Sequence, residues 1–182
     1  MNRLFSTSSK SRFARLFEFH PPEPRAVARF TVRALQGCLF THLFWEHFYS
    51  VGSTVGASML PTMNILGDYI VISKLHIRGR GVEVGDMVSY LHPVHAGPGE
   101  RVVKRIIGMP GDFVVADPVG APGKMVQVPE GHCWTTGDNL PFSYDSRNYG
   151  PVPLALIRGK VIARLYPNRR WFENALKPVE EY

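Results

Sequence analysis

Residues 101–112 read RVVKRIIGMPGD, and this segment sets the expected fold. The run from Arg101 to Ile107 is typical of a strand, and the Pro-Gly pair after it predicts a tight turn. Side chains alternate between the two faces of a strand, so Lys104 shares one face with aliphatic residues and Arg105 shares the other. Both faces are apolar, which indicates a buried strand that carries one desolvated cation. The alternative is that both cations extend from the edge of a sheet into solvent.

The chain beyond Val55 repeats this pattern of short apolar runs separated by turns that contain Gly and Pro. We expect strands at Tyr69–Ser73, Met87–Leu91, Arg101–Ile107, Phe113–Val115, Met125–Val128, His132–Thr136 and Lys160–Leu165, and one helical turn at Leu154–Arg158. The expected turns lie at Gly79–Gly81, Gly85-Asp86, Gly97–Gly99, Pro110-Gly111 and Asp117–Gly123. Many short strands of this kind favour a mainly β fold, as an antiparallel sandwich or a barrel-like sheet.

A second segment, residues 56–62, presents one hydroxyl group in a short turn. It reads GASMLPT, so Ser58 lies between a glycine that leaves room for another backbone and a proline that fixes the exit of the turn. Most serines in such a setting are ordinary turn residues. A lysine stripped of solvent could activate this one, because burial lowers the pKa of the amine. Ser58 and Lys104 are therefore a candidate nucleophile and base, whereas Arg105 cannot act as a base because arginine does not deprotonate.

A third segment, residues 137–147, is dense in hydrogen-bonding side chains and reads GDNLPFSYDSR. Asp145 and Arg147 are two residues apart and could form an ion pair. Ser143 could orient a lysine amine. The alternative is a solvated turn whose surface ion pair contributes little to stability.

These segments and the Gly85-Asp86 turn resemble, in order and content, the motifs of the type I signal peptidase family of membrane-bound serine proteases. Three further runs, VPEGH at 128–132, DSRNYGP at 145–151 and LIRGK at 156–160, are similar to the mitochondrial inner membrane protease branch of that family, and to its first catalytic subunit more than its second. The related endoplasmic-reticulum enzymes carry histidine where this chain has Lys104. The resemblance implies a serine endopeptidase with a β-sheet core that needs no metal and no organic cofactor.

The resemblance also implies a role for each polar side chain. Ser58 would be the nucleophile, Lys104 the neutral general base and Ser143 the group that holds the lysine amine, while Asp145 and Arg147 would hold their loop. The backbone N–H of Ser58 would donate to the oxyanion. One position departs from the pattern, because many bacterial relatives have a serine as a second oxyanion donor where this chain has glycine at position 56. A backbone N–H or a partner subunit would have to replace it.

Four regions are expected: a basic, targeting-like arm over 1–24, a hydrophobic membrane helix over 25–51, a protease domain over 52–168 and a tail over 169–182. The arm is rich in Arg and Ser and poor in acidic residues, as mitochondrial targeting segments are. Residues 34–51 have about the minimum length to cross a bilayer but contain polar side chains, so a helix lying on the membrane surface is the alternative to a span. A stripe of arginines before this segment would stay on the matrix side, which places the protease domain in the intermembrane space.

Composition excludes several other classes of protein. Of the net charge of +6, the first 33 residues hold seven Lys/Arg and two Glu, so the remaining chain is nearly neutral and nucleic-acid binding is not expected. The two cysteines, Cys38 and Cys133, lie far apart in sequence and are not expected to pair, and the histidines show no metal-ligand spacing. The expected partners are precursor proteins with sorting signals, the mitochondrial inner membrane and a sister catalytic subunit.

Two rival functions remain. A self-cleaving, repressor-type protease also uses Ser and Lys on a β fold, but the hydrophobic segment stands where its DNA-binding module would be. A non-catalytic β-domain tethered to the membrane could bind precursors or a sister protease subunit without cleaving anything.

Overall fold

The computed structural model describes residues 23–94, 100–116, 123–174 and 176. By their contacts, the residues of the chain divide into two compact units, 1–42 and 43–182. Three expected features fall wholly or mostly outside the described residues: the arm over 1–24, the turn at Gly97–Gly99 and the turn at Asp117–Gly123.

The described chain begins with one long helix, α1 (Pro24–Phe48), which confirms the helix expected to start near Arg25. None of its residues is buried. The expectation of a helix that continues to residue 51 is wrong, because the chain turns into a strand at Tyr49. Within the part of the chain that the structure describes, no helix combines the length and the apolar character that crossing a bilayer requires.

The described residues after α1 are mainly strands joined by turns and short 3₁₀ helices. The strands are β1 (Tyr49–Val55), β2 (Leu66–Ser73), β3 (Met87–Leu91), β4 (Arg101–Gly108), β5 (Phe113–Val115), β6 (Met125–Gln127), β7 (His132–Thr136), β8 (Val152–Pro153), β9 (Ile157–Tyr166) and β10 (Arg170–Trp171). A single-turn helix, α2 (Ser146–Tyr149), lies between β7 and β8.

One antiparallel sheet holds eight of these strands, in the order β1-β2-β9-β3-β4-β7-β8, with β10 beside β9. The hairpin of β5 and β6 is separate. The expected mainly β, antiparallel fold is therefore confirmed. Within the described residues β1 and β8 end the order without pairing to each other, so the sheet does not close into a barrel.

The sheet is buried on both faces, as the apolar strand β4 predicted. One core, the Val88 cluster, gathers Val88, Tyr90 and Ile106 with other buried apolar residues. The other, the Met59 cluster, is formed by Met59, Met63, Ile70, Ile72, Met87 and Val161. Because neighbouring residues of a strand point to opposite faces, β3 contributes Met87 to one cluster and Val88 to the other.

All seven expected strands are present, although β2 and β9 are longer than expected. The turn expected at Leu154–Arg158 is a 3₁₀ helix over Leu154–Leu156. Three strands were missed, and β1 is the one that matters for the site. Its sequence, YSVGSTV, continues the preceding hydrophobic run without a turn signal, so only its pairing with β2 separates it from the helix.

Candidate active site

Ser58 lies in a 3₁₀ helix over Ala57–Met59, directly after β1. Gly56 precedes it with φ of 121°, a backbone conformation that favours glycine, and donates its N–H to Ile65 O at 2.7 Å, which closes the loop. The next side chain, Met59, is buried in the Met59 cluster and anchors the loop to the core. Ser58 itself stays half-buried. The loop therefore fixes the backbone of Ser58 and leaves its hydroxyl group at the surface of the domain.

Lys104 lies on β4, directly opposite Val88 of β3, and is only 5% exposed. Burial lowers the pKa of its amine below the ordinary value, a shift that the carboxylate of Asp145 opposes and the guanidinium of Arg147 reinforces. Among the described residues Lys104 Nζ makes no hydrogen bond and no ion pair. The desolvated cation expected on this strand is therefore Lys104.

Arg105 points to the opposite face of β4, and its guanidinium forms an ion pair and a further hydrogen bond. Its guanidinium forms a two-pronged ion pair with Asp138, through Nε to Oδ1 at 2.8 Å and Nη2 to Oδ2 at 2.7 Å, and its Nη1 donates to Gly85 O at 2.6 Å. Asp138 also accepts from Thr62 Oγ1 at 2.5 Å. This one ion pair therefore ties together the Ser58 loop, strand β4, the Gly85-Asp86 turn and the 137–147 loop. The sequence did not reveal it, because the two partners are 33 residues apart.

The 137–147 loop is organised around the carboxylate of Asp145, which is completely buried. Ser143 Oγ donates to its Oδ2 at 2.6 Å, Gly137 N donates to the same oxygen at 3.0 Å, and Arg147 Nε donates to Oδ1 at 2.9 Å. Burial alone would raise the pKa of Asp145, but these hydrogen bonds hold it below its ordinary value. The expected pair of Asp145 and Arg147 is thus present, and it is a buried one.

The 137–147 loop also packs directly against the Ser58 loop. Asn139 donates its backbone N–H to Ser58 O at 3.0 Å and its side-chain Nδ2 to Ala57 O at 3.0 Å. Gly137 approaches so closely that an added Cβ would overlap Ser58 O and Ser143 Oγ. Neither Asn139 nor Gly137 was singled out from the sequence, where each is one polar or small residue in a turn-like run.

Ser58 and Lys104 line one cleft of about 350 Å³. Residues 53–56 and residues 101–104 of β4 line it. Six residues from other parts of the domain complete the lining: Met59, Met63, Asn64, Ile70, Ile72 and Ser89. On the side of β4 away from β3, the strand β7 pairs only with residues 105–108, so the backbone of residues 101–104 has no neighbouring strand there among the described residues.

Two expectations about the site concern the group that holds the lysine amine and the donors to the oxyanion. Ser143 Oγ donates to Asp145, and within the described chain no hydrogen bond joins it to Lys104, so its role in holding the amine stays a prediction. The backbone N–H of Gly56 is occupied by Ile65 O and is not available as the missing oxyanion donor. The N–H of Ser58 has no acceptor among the hydrogen bonds of the described residues, and its role as oxyanion donor stays a prediction.

No group of His, Cys, Asp and Glu side chains among the described residues could hold a metal ion.

Replacing Gly137 with alanine is expected to reduce activity at least about tenfold, because the added methyl group must push the Ser58 backbone out of place. The measurement is kcat/KM for the peptide cleavage that the sequence leads us to expect, with a thermal unfolding curve to show that the fold remains. Gly52→Ala is the matched control, since a Cβ at Gly52 meets no atom within 4 Å. Equal rates for the two variants would contradict this close packing.

Replacing Asp138 with asparagine is expected to lower the free energy of unfolding by about 2–4 kcal/mol, because the mostly buried guanidinium of Arg105 loses its counter-charge. Hydrogen bonds from Arg105 and Thr62 outweigh burial and hold the pKa of Asp138 below its ordinary value. Its contribution is therefore present above the unfolded-state pKa of about 3.9 and is lost as the pH falls through the folded-state value.

Denaturant titrations of the Asp138→Asn variant between pH 3 and pH 7 test both statements. Asp112→Asn serves as a control, because that carboxylate is exposed and accepts only from the backbone N–H of Met109. If both variants lose the same small amount of stability, the ion pair does not have the structural role given to it.

Comparison with known proteins places this arrangement in a family. The family model described as signal peptidase, peptidase S26, matches residues 26–120 and 116–166. Mitochondrial inner membrane protease subunit 1 of Schizosaccharomyces pombe is 42% identical over 153 residues, which cover 84% of this chain and 96% of the relative. The same subunit of Saccharomyces cerevisiae is 36% identical over 80% of this chain and 83% of the relative. Mitochondrial inner membrane protease subunit 2 of Mus musculus is 33% identical over 74% of this chain and 78% of the relative.

A solved signal peptidase I from Enterococcus faecalis aligns with 44% of this chain and 97% of its own, at 24% identity and a TM-score of 0.38, which is too low to support a shared fold by itself. The family match over most of the chain and the identity to whole relatives do not depend on it. The resemblance stated from the motifs is therefore confirmed: the chain belongs to the signal peptidase family of peptidases, peptidase S26.

Proposed function

We propose that this protein is a serine endopeptidase that removes sorting segments from precursor proteins, with Ser58 as nucleophile and neutral Lys104 as general base. One observation carries the proposal: a buried lysine of lowered pKa lines the same cleft as the serine of the GASMLPT turn. Membership of the signal peptidase family supports the reaction type. The assignment of nucleophile to Ser58 and of general base to Lys104 goes beyond what membership of the family shows.

The reaction follows from the groups in the cleft. Lys104 Nζ takes the proton from Ser58 Oγ, and the oxygen attacks the carbonyl carbon of the scissile peptide bond. The backbone N–H of Ser58 stabilises the oxyanion. As the C–N bond breaks, the proton on Lys104 passes to the leaving amine, and an ester joins the upstream fragment to Ser58. Water, deprotonated by Lys104, then hydrolyses this ester and frees the serine.

The cleft also suits an extended peptide. Residues 101–104 of β4 present a backbone edge without a neighbouring strand in the described chain, and residues 53–56 line the same cleft. A peptide lying between them could form backbone hydrogen bonds, which recognise any sequence in extended form. Its side chains would enter the apolar lining, which would supply the selectivity.

The names of the relatives support a place for this protein in the mitochondrial inner membrane, as one subunit of a complex with a sister catalytic subunit. Helix α1 supports membrane association, because large apolar side chains along it are exposed, among them Phe30, Leu35, Leu39 and Phe40. We expect the arginine stripe of this helix to stay on the matrix side, and the cleft would then lie in the intermembrane space.

Incubation of the full-length chain in detergent with a precursor that carries an amino-terminal sorting segment tests the proposal. The expected result is a shorter product with one new amino terminus, determined by mass spectrometry. A precursor that binds but stays intact would instead favour the non-catalytic β-domain. The sister subunit is added in a parallel reaction, so that a need for the complex is separated from a lack of catalysis.

A further inference from the structure

Among the described residues, two side-chain hydroxyl oxygens that are shielded from solvent have no hydrogen-bond partner: Ser50 Oγ and Ser89 Oγ. Only Ser89 lines the cleft. It lies on β3 and is 1% exposed. Buried hydroxyl groups in native proteins are nearly always hydrogen-bonded, so an unpaired one at the floor of a substrate cleft indicates a partner that arrives with the substrate.

The register of the sheet explains why Ser89 finds no partner within the protein. It lies opposite Val103 of β4 on one side and Gly159 of β9 on the other. Neither neighbour has a side-chain group that can donate or accept a hydrogen bond. An alanine at this position would fill nearly the same space without an unpaired hydroxyl group.

The residues around Ser89 indicate which kind of substrate side chain could be its hydrogen-bond partner. Of the cleft residues from elsewhere in the domain, Met59, Met63, Ile70 and Ile72 are apolar and belong to one core cluster, and Asn64 donates its side-chain amide to Asp68. A positively charged side chain would lose its hydration here, and no carboxylate of the described residues lines the cleft to pair with it. A hydroxyl group has a single O–H donor, and Ser89 can supply the hydrogen bond that it needs.

We propose that Ser89 is a specificity-determining residue, which hydrogen-bonds the hydroxyl group of a side chain of the bound precursor near the scissile bond. This inference rests on the proposed function, because it takes the cleft as the precursor site. Ser89 lies opposite Val103, the residue before Lys104, so the peptide residue that it contacts is within about four residues of the cut by strand geometry.

A panel of peptides tests the assignment. Each peptide carries threonine or its near-isostere valine at one of the four positions on either side of the cut, and kcat/KM is measured for both. The full-length protein is expected to favour threonine about tenfold at one position, the value of one well-made hydrogen bond. Ser89→Ala is expected to remove that preference. Ser50→Ala, which deletes the other unpaired hydroxyl away from the cleft, is expected to keep it.

The assignment is overturned if no position favours threonine, or if the preference survives in Ser89→Ala. Loss of folding is not the expected cause of any change, because deleting an unpaired hydroxyl group should leave the melting temperature equal or higher.

Binding separates this inference from the proposed function. The same peptide pairs are titrated against the Ser58→Ala variant, with and without Ser89→Ala, by fluorescence anisotropy. A threonine preference in Kd that disappears with Ser89→Ala supports the role of Ser89 even if the wild-type protein cleaves no peptide, an outcome that would contradict the proposed function alone. Equal Kd values for each threonine and valine pair would contradict the role of Ser89 even if cleavage is efficient.

Discussion

Lys104→Met is expected to abolish precursor cleavage and to raise the melting temperature at neutral pH. Methionine keeps the length and the apolar stem of lysine but cannot take a proton, so Ser58 loses its base. The loss should be at least about 10³-fold in kcat/KM, as for other members of nucleophile–base units. The gain in stability follows from burial, because folding transfers an amine to a site where its charged form is disfavoured.

The effect of Lys104 on stability should depend on pH in a defined direction. The pKa of Lys104 is lower in the folded than in the unfolded state, so below the folded-state pKa the buried ammonium carries its full penalty. Stability should therefore rise as the pH increases from the folded-state pKa towards the unfolded-state value of about 10.4, and the methionine variant should lack this component. The rate of cleavage by the wild-type protein should also rise as the pH increases through the folded-state pKa of Lys104, because only the neutral amine can act as a base.

Two further variants complete the experiment. Lys104→Arg should also be inactive, because it keeps the positive charge but cannot deprotonate. Lys124→Met is the control, since Lys124 is exposed and outside the cleft, and it should cleave at the wild-type rate. Near-normal cleavage by Lys104→Met or Lys104→Arg would refute the role of general base. A lower melting temperature for the methionine variant would show instead that the amine is well satisfied in the folded protein.

Ser58→Ala is expected to lose cleavage by at least about 10³-fold while precursor binding and thermal stability stay unchanged. Within the described residues the hydroxyl group of Ser58 makes no hydrogen bond, so the fold does not depend on it. Its loop is held by other groups, chiefly the buried side chain of Met59 and the hydrogen bonds from Asn139. The measurements are single-turnover cleavage, precursor affinity and a melting curve.

Ser50→Ala is the matched control for this variant, because it removes a hydroxyl group from β1 outside the cleft. Cleavage by Ser58→Ala at the rate of Ser50→Ala would mean that another group attacks the peptide bond. A large fall in melting temperature would mean that Ser58 is a structural turn residue, the ordinary role of a serine beside glycine and proline.

Local patterns were sufficient for most of the secondary structure. Strands such as Met87–Leu91 and His132–Thr136 have the predicted limits, because alternating or continuous apolar runs bounded by Gly and Pro turns carry their own signal. The limit between α1 and β1 could not be predicted in this way. The residues from Ala34 to Val51 form one hydrophobic run, and only the pairing of Tyr49–Val55 with β2 makes its last part a strand.

Long-range contacts account for what was missed in the site. Arg105 stands beside Lys104 and Asp138 lies in the 137–147 loop, but nothing local joins them across 33 positions. The same is true of Asn139, whose hydrogen bonds to the Ser58 loop span about 80 residues. Ser89 is the clearest case, because a serine in an apolar strand is unremarkable until its neighbours across the sheet are known to be a valine and a glycine.

Residue types at short spacing were sufficient to predict the family, the mainly β fold and, each from its own segment, the two candidate residues Ser58 and Lys104. Only the three-dimensional structure shows that Lys104 is buried without an ion-pair partner among the described residues whereas Arg105 is paired with Asp138, since ion pairing depends on which residues of distant segments meet each face of β4. It also decided that the amine and the hydroxyl group line one cleft, because 46 residues of chain separate them and only the packing of the Ser58 loop against the sheet brings them together.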